Sequence, residues 1–96
     1  MNYGIKEAAA RLKEYIPSPK ATSKVIIYIV TNSTAKSNMS GKYTAYIIAN
    51  NEPLCLIHNY QVSGFGLDRR FELAYNLFCM AYPELRYQDC LSMRSL

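Results

Sequence analysis

Apolar residues recur along this chain in two rhythms, and the elements change where the rhythm changes. Ile5, Ala8, Ala9, Leu12 and Ile16 fall three and four positions apart, a narrow stripe down one side of a helix. The spacing predicts a helix over 3–16, with Asn2 as its cap and a Glu7–Arg11 pair one turn apart. Pro17 ends it, because proline drives the residue before it out of helical conformation. After a polar connector, KVIIYIVT (24–31) runs through β-branched and aromatic side chains with both faces apolar, which predicts a central strand. KYTAYIIA (42–49) reads as a second strand. Asn50 and Asn51 tolerate left-handed backbone, so ANNEP is a turn. PLCLIHNY (53–60) is then a third, shorter strand that begins at proline, as edge strands can.

The most apolar helical segment lies in VSGFGLDRRFELAYNLFCMAY, 62–82. Gly64 and Gly66 give the preceding turn its backbone freedom, and Asp68 is placed to accept from a first-turn amide. Leu67, Phe71, Ala74, Phe78 and Ala81, flanked by Leu73, Leu77 and Met80, make a broad apolar face over a helix at 67–82. Beyond Pro83 the residues Leu85, Cys90, Leu91 and Met93 keep no period, so 83–96 is expected to be a tail or a helical turn or two. The predicted architecture is α+β: a three-stranded antiparallel sheet packed with two helices, in the order α-β-β-β-α, within a single domain over 1–96.

Composition narrows the class. Half of the residues are apolar and 19% are charged, a globular rather than a disordered balance. No apolar run approaches the roughly 20 residues that span a bilayer. The first residues alternate charge with alanine and lack the apolar core of a secretory signal, so the cytosol is the expected compartment. Cys55, Cys79 and Cys90 cannot all pair within one chain, and with His58 they match no common zinc spacing, so reduced thiols and no metal are expected. On a regular strand Cys55 and His58 point to opposite faces, which argues against a nucleophile–base pair. With no phosphate loop and no paired carboxylates either, neither an enzyme nor a cofactor is expected.

The net charge of +4 is mild. It suits phosphate or an acidic protein face and falls short of a dense nucleic-acid patch. Two places concentrate it. The connection TNSTAKSNMSGK (31–42) is longer than hairpin geometry requires, and Lys36 and Lys42 bracket Ser37, Asn38 and Met39 in it. Arg69 and Arg70 open the last helix beside its free amides, an arrangement that attracts anions. Nine tyrosines, Tyr43, Tyr46, Tyr60, Tyr75, Tyr82 and Tyr87 among them, serve either a contact surface or a partly buried core.

Two of these stretches together resemble a family of short proteins encoded by bacteriophages and prophages. Its members carry a Ser-Arg-Ser-Gly-Met-Ser-Arg-like loop after a strand and a Gly-Cys-Gly-Met-Asp-Met-Gly-Phe-like turn opening a helix. Here the loop reads Lys36-Ser37-Asn38-Met39-Ser40-Gly41-Lys42, and the turn reads Gly64-Phe65-Gly66-Leu67-Asp68-Arg69-Arg70-Phe71. Phe65 stands in place of the cysteine, Asn38 in place of a loop glycine, and Arg69 and Arg70 in place of methionine and glycine. The likeness spans 25–82. It implies a phage accessory protein of the host cytoplasm. Such proteins often inhibit host defence, anti-CRISPR proteins among them, by covering a surface of a host protein or ribonucleoprotein complex. The residues expected to meet that partner are Lys36, Ser37, Asn38, Met39, Lys42, Arg69 and Arg70. The α-β-β-β-α order supplies the alternative, a nucleic-acid-binding module like a double-stranded-RNA-binding domain.

Overall fold

Ala49 and Glu52 pair across a two-residue turn in which Asn50 (φ 54°) and Asn51 (φ 66°) are both left-handed. Two consecutive positive φ values match the right-handed twist of the flanking strands, and asparagine adopts them at less cost than other residues with a Cβ. That hairpin is the middle of a fold described here from a computed structural model for residues 4–31, 41–62 and 68–96. Its elements are α1 (Ile5–Tyr15), β1 (Val25–Thr31), β2 (Gly41–Ala49), β3 (Glu52–Val62), α2 (Arg69–Ala81), α3 (Tyr87–Cys90) and β4 (Leu91–Ser95).

The class is α+β, but the sheet is neither three-stranded nor wholly antiparallel. It has four strands in the order β3-β2-β1-β4. β2 pairs antiparallel with β1 and β3, while β4 runs parallel to β1, with Val25 to Ile29 opposite Leu91 to Ser95. The expected tail is therefore a short third helix and a fourth strand. Crossing back through α2 and α3 is what allows a parallel neighbour, because a parallel pair needs a long connection. β1 is central, as its apolar character predicts. β3 is an edge strand but is the longest of the four, with 11 residues.

Both long helices lie on one side of the sheet. Val25, Ile27 and Ile29 of β1 and Tyr43, Ala45 and Ile47 of β2 alternate inward, and Leu56, Ile57 and Val62 of β3 join them. Ala8, Ala9 and Leu12 of α1 and Leu73, Ala74, Leu77, Phe78 and Ala81 of α2 close the core from the other side. α1 starts at Ile5 on Gly4, which has no side chain to cap it, and Asn2 lies outside the described residues. Arg11 donates to the Cys55 carbonyl at 2.8 Å, which ties α1 to the outer strand.

Leu73, Ala74, Leu77, Phe78 and Ala81 face inward on α2 as expected, but the edges of that face differ. Arg69 is only 1% exposed and lies in line with Leu73, Leu77 and Ala81, whereas Phe71 is 37% and Met80 49% exposed. Position 69 lies one turn before Leu73 on the row that continues through Leu77 and Ala81, so it joins the inward face together with Ala74 and Phe78. Leu67 lies outside the described residues.

Candidate functional site

Asp68 organises the start of α2. Its carboxylate accepts from the Arg70 amide at 2.9 Å, which caps the helix as expected. It also accepts from Nε and Nη2 of the same arginine at 3.0 and 2.9 Å, a two-pronged ion pair. Those side-chain bonds hold the Asp68 carboxyl below the usual carboxylate range, against the opposing effect of burial. The same bonds raise Arg70 above its ordinary value. Arg70 Nη1 reaches on to Ser95 Oγ at 2.7 Å, so the helix start is joined to β4.

The two arginines thus do different things. Successive helical residues point about 100° apart, so Arg69 turns into the core, where its Nη1 lies 3.4 Å from Glu72 Oε2. Arg70 stays half-buried at the surface with its charge compensated. A carboxylate already occupies the first-turn position where an incoming anion would sit. Of the other expected contact residues, Lys36, Ser37, Asn38 and Met39 lie outside the described residues, and Lys42 is exposed on β2.

The structure brings Lys42 onto a surface that sequence reasoning did not assemble. The face of the sheet turned away from α1 and α2 has no element packed over it among the described residues. In register across it lie Cys55, Tyr46, Tyr28 and Arg94, one from each strand in spatial order. Tyr28 and Tyr46 stack, with ring centroids 5.4 Å apart and planes 15° from parallel. Thr44 pairs with Val30, and Lys42 with Gln61, in neighbouring rows. Ile48, 48% exposed, and Pro53 continue the face toward the hairpin. Glu52 stands opposite Ala49, on the helix side. Among the described residues no carboxylate occupies an open-face strand position.

β3 departs from regularity here. Tyr43 pairs with Tyr60, Ala45 with Ile57 and Tyr46 with Cys55, so β3 has two extra residues across this stretch. Asn59 is left-handed (φ 51°), and its amide donates to Thr44 Oγ1 at 3.4 Å. The Thr44 hydroxyl lies 3.0 Å from His58 Nδ1. The irregularity defeats the opposite-faces argument for Cys55 and His58, since both now belong to the open side. The hydrogen-bond partner of His58 is Thr44, and no cluster of three metal-ligating side chains forms among the described residues. Cys90 is buried, while Cys55 is exposed and Cys79 lies between.

The remaining tyrosines divide between core and surface. Tyr43 and Tyr82 are buried, and Tyr75 and Tyr87 meet edge to face at 4.9 Å on the outside of α2, with Phe71 beside them. Tyr28 and Arg94 escaped the sequence reading. The alternation of Tyr28 with Ile27 and Ile29 was visible, but which parity faces solvent was not. Arg94 needed β4, whose Leu91 and Met93 alternate with Ser92 and Arg94 at the strand period.

These features define an α+β protein with both long helices on one side of its sheet and, among the described residues, an aromatic and basic face left uncovered on the other. No protein-family model, curated protein or solved structure matches the chain. No helix among the described residues is long and apolar enough to cross a membrane.

Proposed function

We propose that this protein is a non-catalytic binding module, a phage-type inhibitor of a host defence complex acting in the host cytoplasm, and that it docks through the open face of its sheet. One observation carries the reading: Tyr28 and Tyr46 stack on a face that no described element covers, with Arg94 in the same row, Lys42 further along β2, and no carboxylate among its described strand positions. Tyrosine offers a rigid apolar ring with a polar tip, and the cations favour a negatively charged partner. Lys36, Ser37, Asn38 and Met39, which lie outside the described residues shortly before β2 in sequence, belong to the proposed partner contacts. Arg70 contributes from the side, through a charge already shared with Asp68, and Arg69 contributes by packing. No metal or cofactor is required. A double-stranded-RNA reading would place the start of α2 on the duplex, where Arg69 is buried and Arg70 is held by Asp68.

The test is capture of partners by the tagged full chain from cells that carry defence systems, read by mass spectrometry, alongside phage plating. A defence complex retained by the parent and lost by Lys42→Glu with Arg94→Glu is the expected result. If no complex is retained and plating is unchanged on expression, the reading fails.

A further inference from the structure

We infer that the open sheet face binds single-stranded nucleic acid, with Tyr28 and Tyr46 as the rings on which bases stack and Lys42 and Arg94 as the phosphate contacts. This rests on the reading above for the choice of surface and names the chemistry of what that surface meets. Neighbouring strands lie about 4.8 Å apart, and the two rings stand side by side on β1 and β2 with their planes nearly parallel. Their outer flanks look toward Arg94 on β4 and Cys55 on β3. A base can extend this stack at either end, since every base has a π-face. A four-stranded sheet with helices on one side and aromatic rings on the other is a general solution for splayed, unpaired bases.

Charge and polarity agree with that occupant. Arg94 flanks the tyrosine pair in its own row, and Lys42 lies four positions along β2 from Tyr46, so a backbone running obliquely over the face meets a cation at each end of its path. Thr44 and His58, hydrogen-bonded to each other at 3.0 Å beside the rings, supply donors and acceptors for base edges. A duplex is disfavoured because its bases are stacked and paired inside, out of reach of rings on a sheet. An acidic protein face would satisfy the cations but leave the flanks of the ring stack without a planar partner.

The test is fluorescence anisotropy of the full-length protein with labelled oligo-U, oligo-dT and a mixed-sequence duplex, across a salt series. Single strands are expected to bind and to weaken steeply as salt rises, with the duplex weaker at each salt concentration. The two homopolymers show whether RNA or DNA is preferred. Tyr28→Ala and Tyr46→Ala should each weaken binding roughly tenfold, whereas Tyr28→Phe and Tyr46→Phe, which keep the ring, should stay within about threefold of the parent. Circular dichroism checks that each variant is folded. Absence of single-strand binding at low salt, or Ala variants that bind like the parent, would overturn the inference. Retention of a defence complex after nuclease treatment, without single-strand binding, sinks this inference and leaves the functional reading standing. Tyrosine-dependent single-strand binding with no complex captured does the reverse.

Discussion

The hydroxyl of Tyr82, at the C-terminal end of α2, donates to the carbonyl of Ile16 at the end of α1, 66 positions earlier in the chain. The Leu12 carbonyl lies within 3.5 Å of the same oxygen. The Leu12 carbonyl already accepts from the Ile16 amide, but the last carbonyls of a helix have no partner within it, so the phenol satisfies that of Ile16 and fastens the end of α1 to α2. Burial, helped by the charge of Glu84, pushes the Tyr82 phenol up to about 12 from an ordinary 10.0.

Tyr82→Phe should therefore cost about 1 kcal/mol in urea unfolding, through loss of this bond. The pH dependence has a definite sign. The unfolded phenol ionises first, near 10, while the folded one keeps its proton to about 12. Stability from this group is complete below pH 10 and declines by up to about 2 kcal/mol as pH rises through that interval. The phenylalanine variant should lack that share of the decline, visible as a shallower loss of unfolding midpoint between pH 10 and 12.

Asp68 separates a cap from an ion pair. Asp68→Ala removes both and should cost about 1–2 kcal/mol, whereas Asp68→Asn keeps a cap and should cost less than half of that. The folded carboxyl ionises below its unfolded value of 3.8. Its stabilisation is present above about pH 4 and lost as pH falls through the folded value. Acid unfolding of the asparagine variant should lack that component, as thermal midpoints measured from pH 6 to 2 would show.

Arg69 tests what a buried charge contributes. Arg69→Met keeps most of the volume and removes the cost of burying charge, so its stability should lie within about 1 kcal/mol of the parent, or above it. Arg69→Ala opens a cavity beside Leu73 and should cost about 2–4 kcal/mol. A methionine variant as damaged as the alanine one in chemical denaturation would show that the guanidinium itself holds the helix.

Removal of 91–96 strips β4 from β1. The backbone pairing of Val25 to Ile29 with Leu91 to Ser95 is lost, together with the bond from the Leu96 amide to the Ile29 carbonyl. An exposed apolar edge of that kind invites pairing between molecules. The shortened chain should lose several kcal/mol of stability and show concentration-dependent light scattering, whereas Arg94→Glu, which leaves the strand in place, should stay monodisperse.

Much of this was legible in residue order. The helical periods of α1 and α2, the runs of β1 and β2, the left-handed pair Asn50–Asn51 and the Asp68 cap all depend on neighbours within a few positions. Local spacing therefore specifies them. Tertiary packing decided the rest. LSMRS has no β-branched residue and becomes a strand only because β1 offers an edge after α2 and α3 bring the chain back. Arg69 is buried because the inward face of α2 extends back from Leu73 to its first residue, while Phe71 at the edge of that face turns outward. The extra residues of β3 turn His58 toward Thr44, and both helices choose the same side of the sheet. Only that choice leaves Tyr28 and Tyr46 stacked on the side away from the helices, since a period shows that a strand has two faces and contact with distant elements selects which one the helices cover.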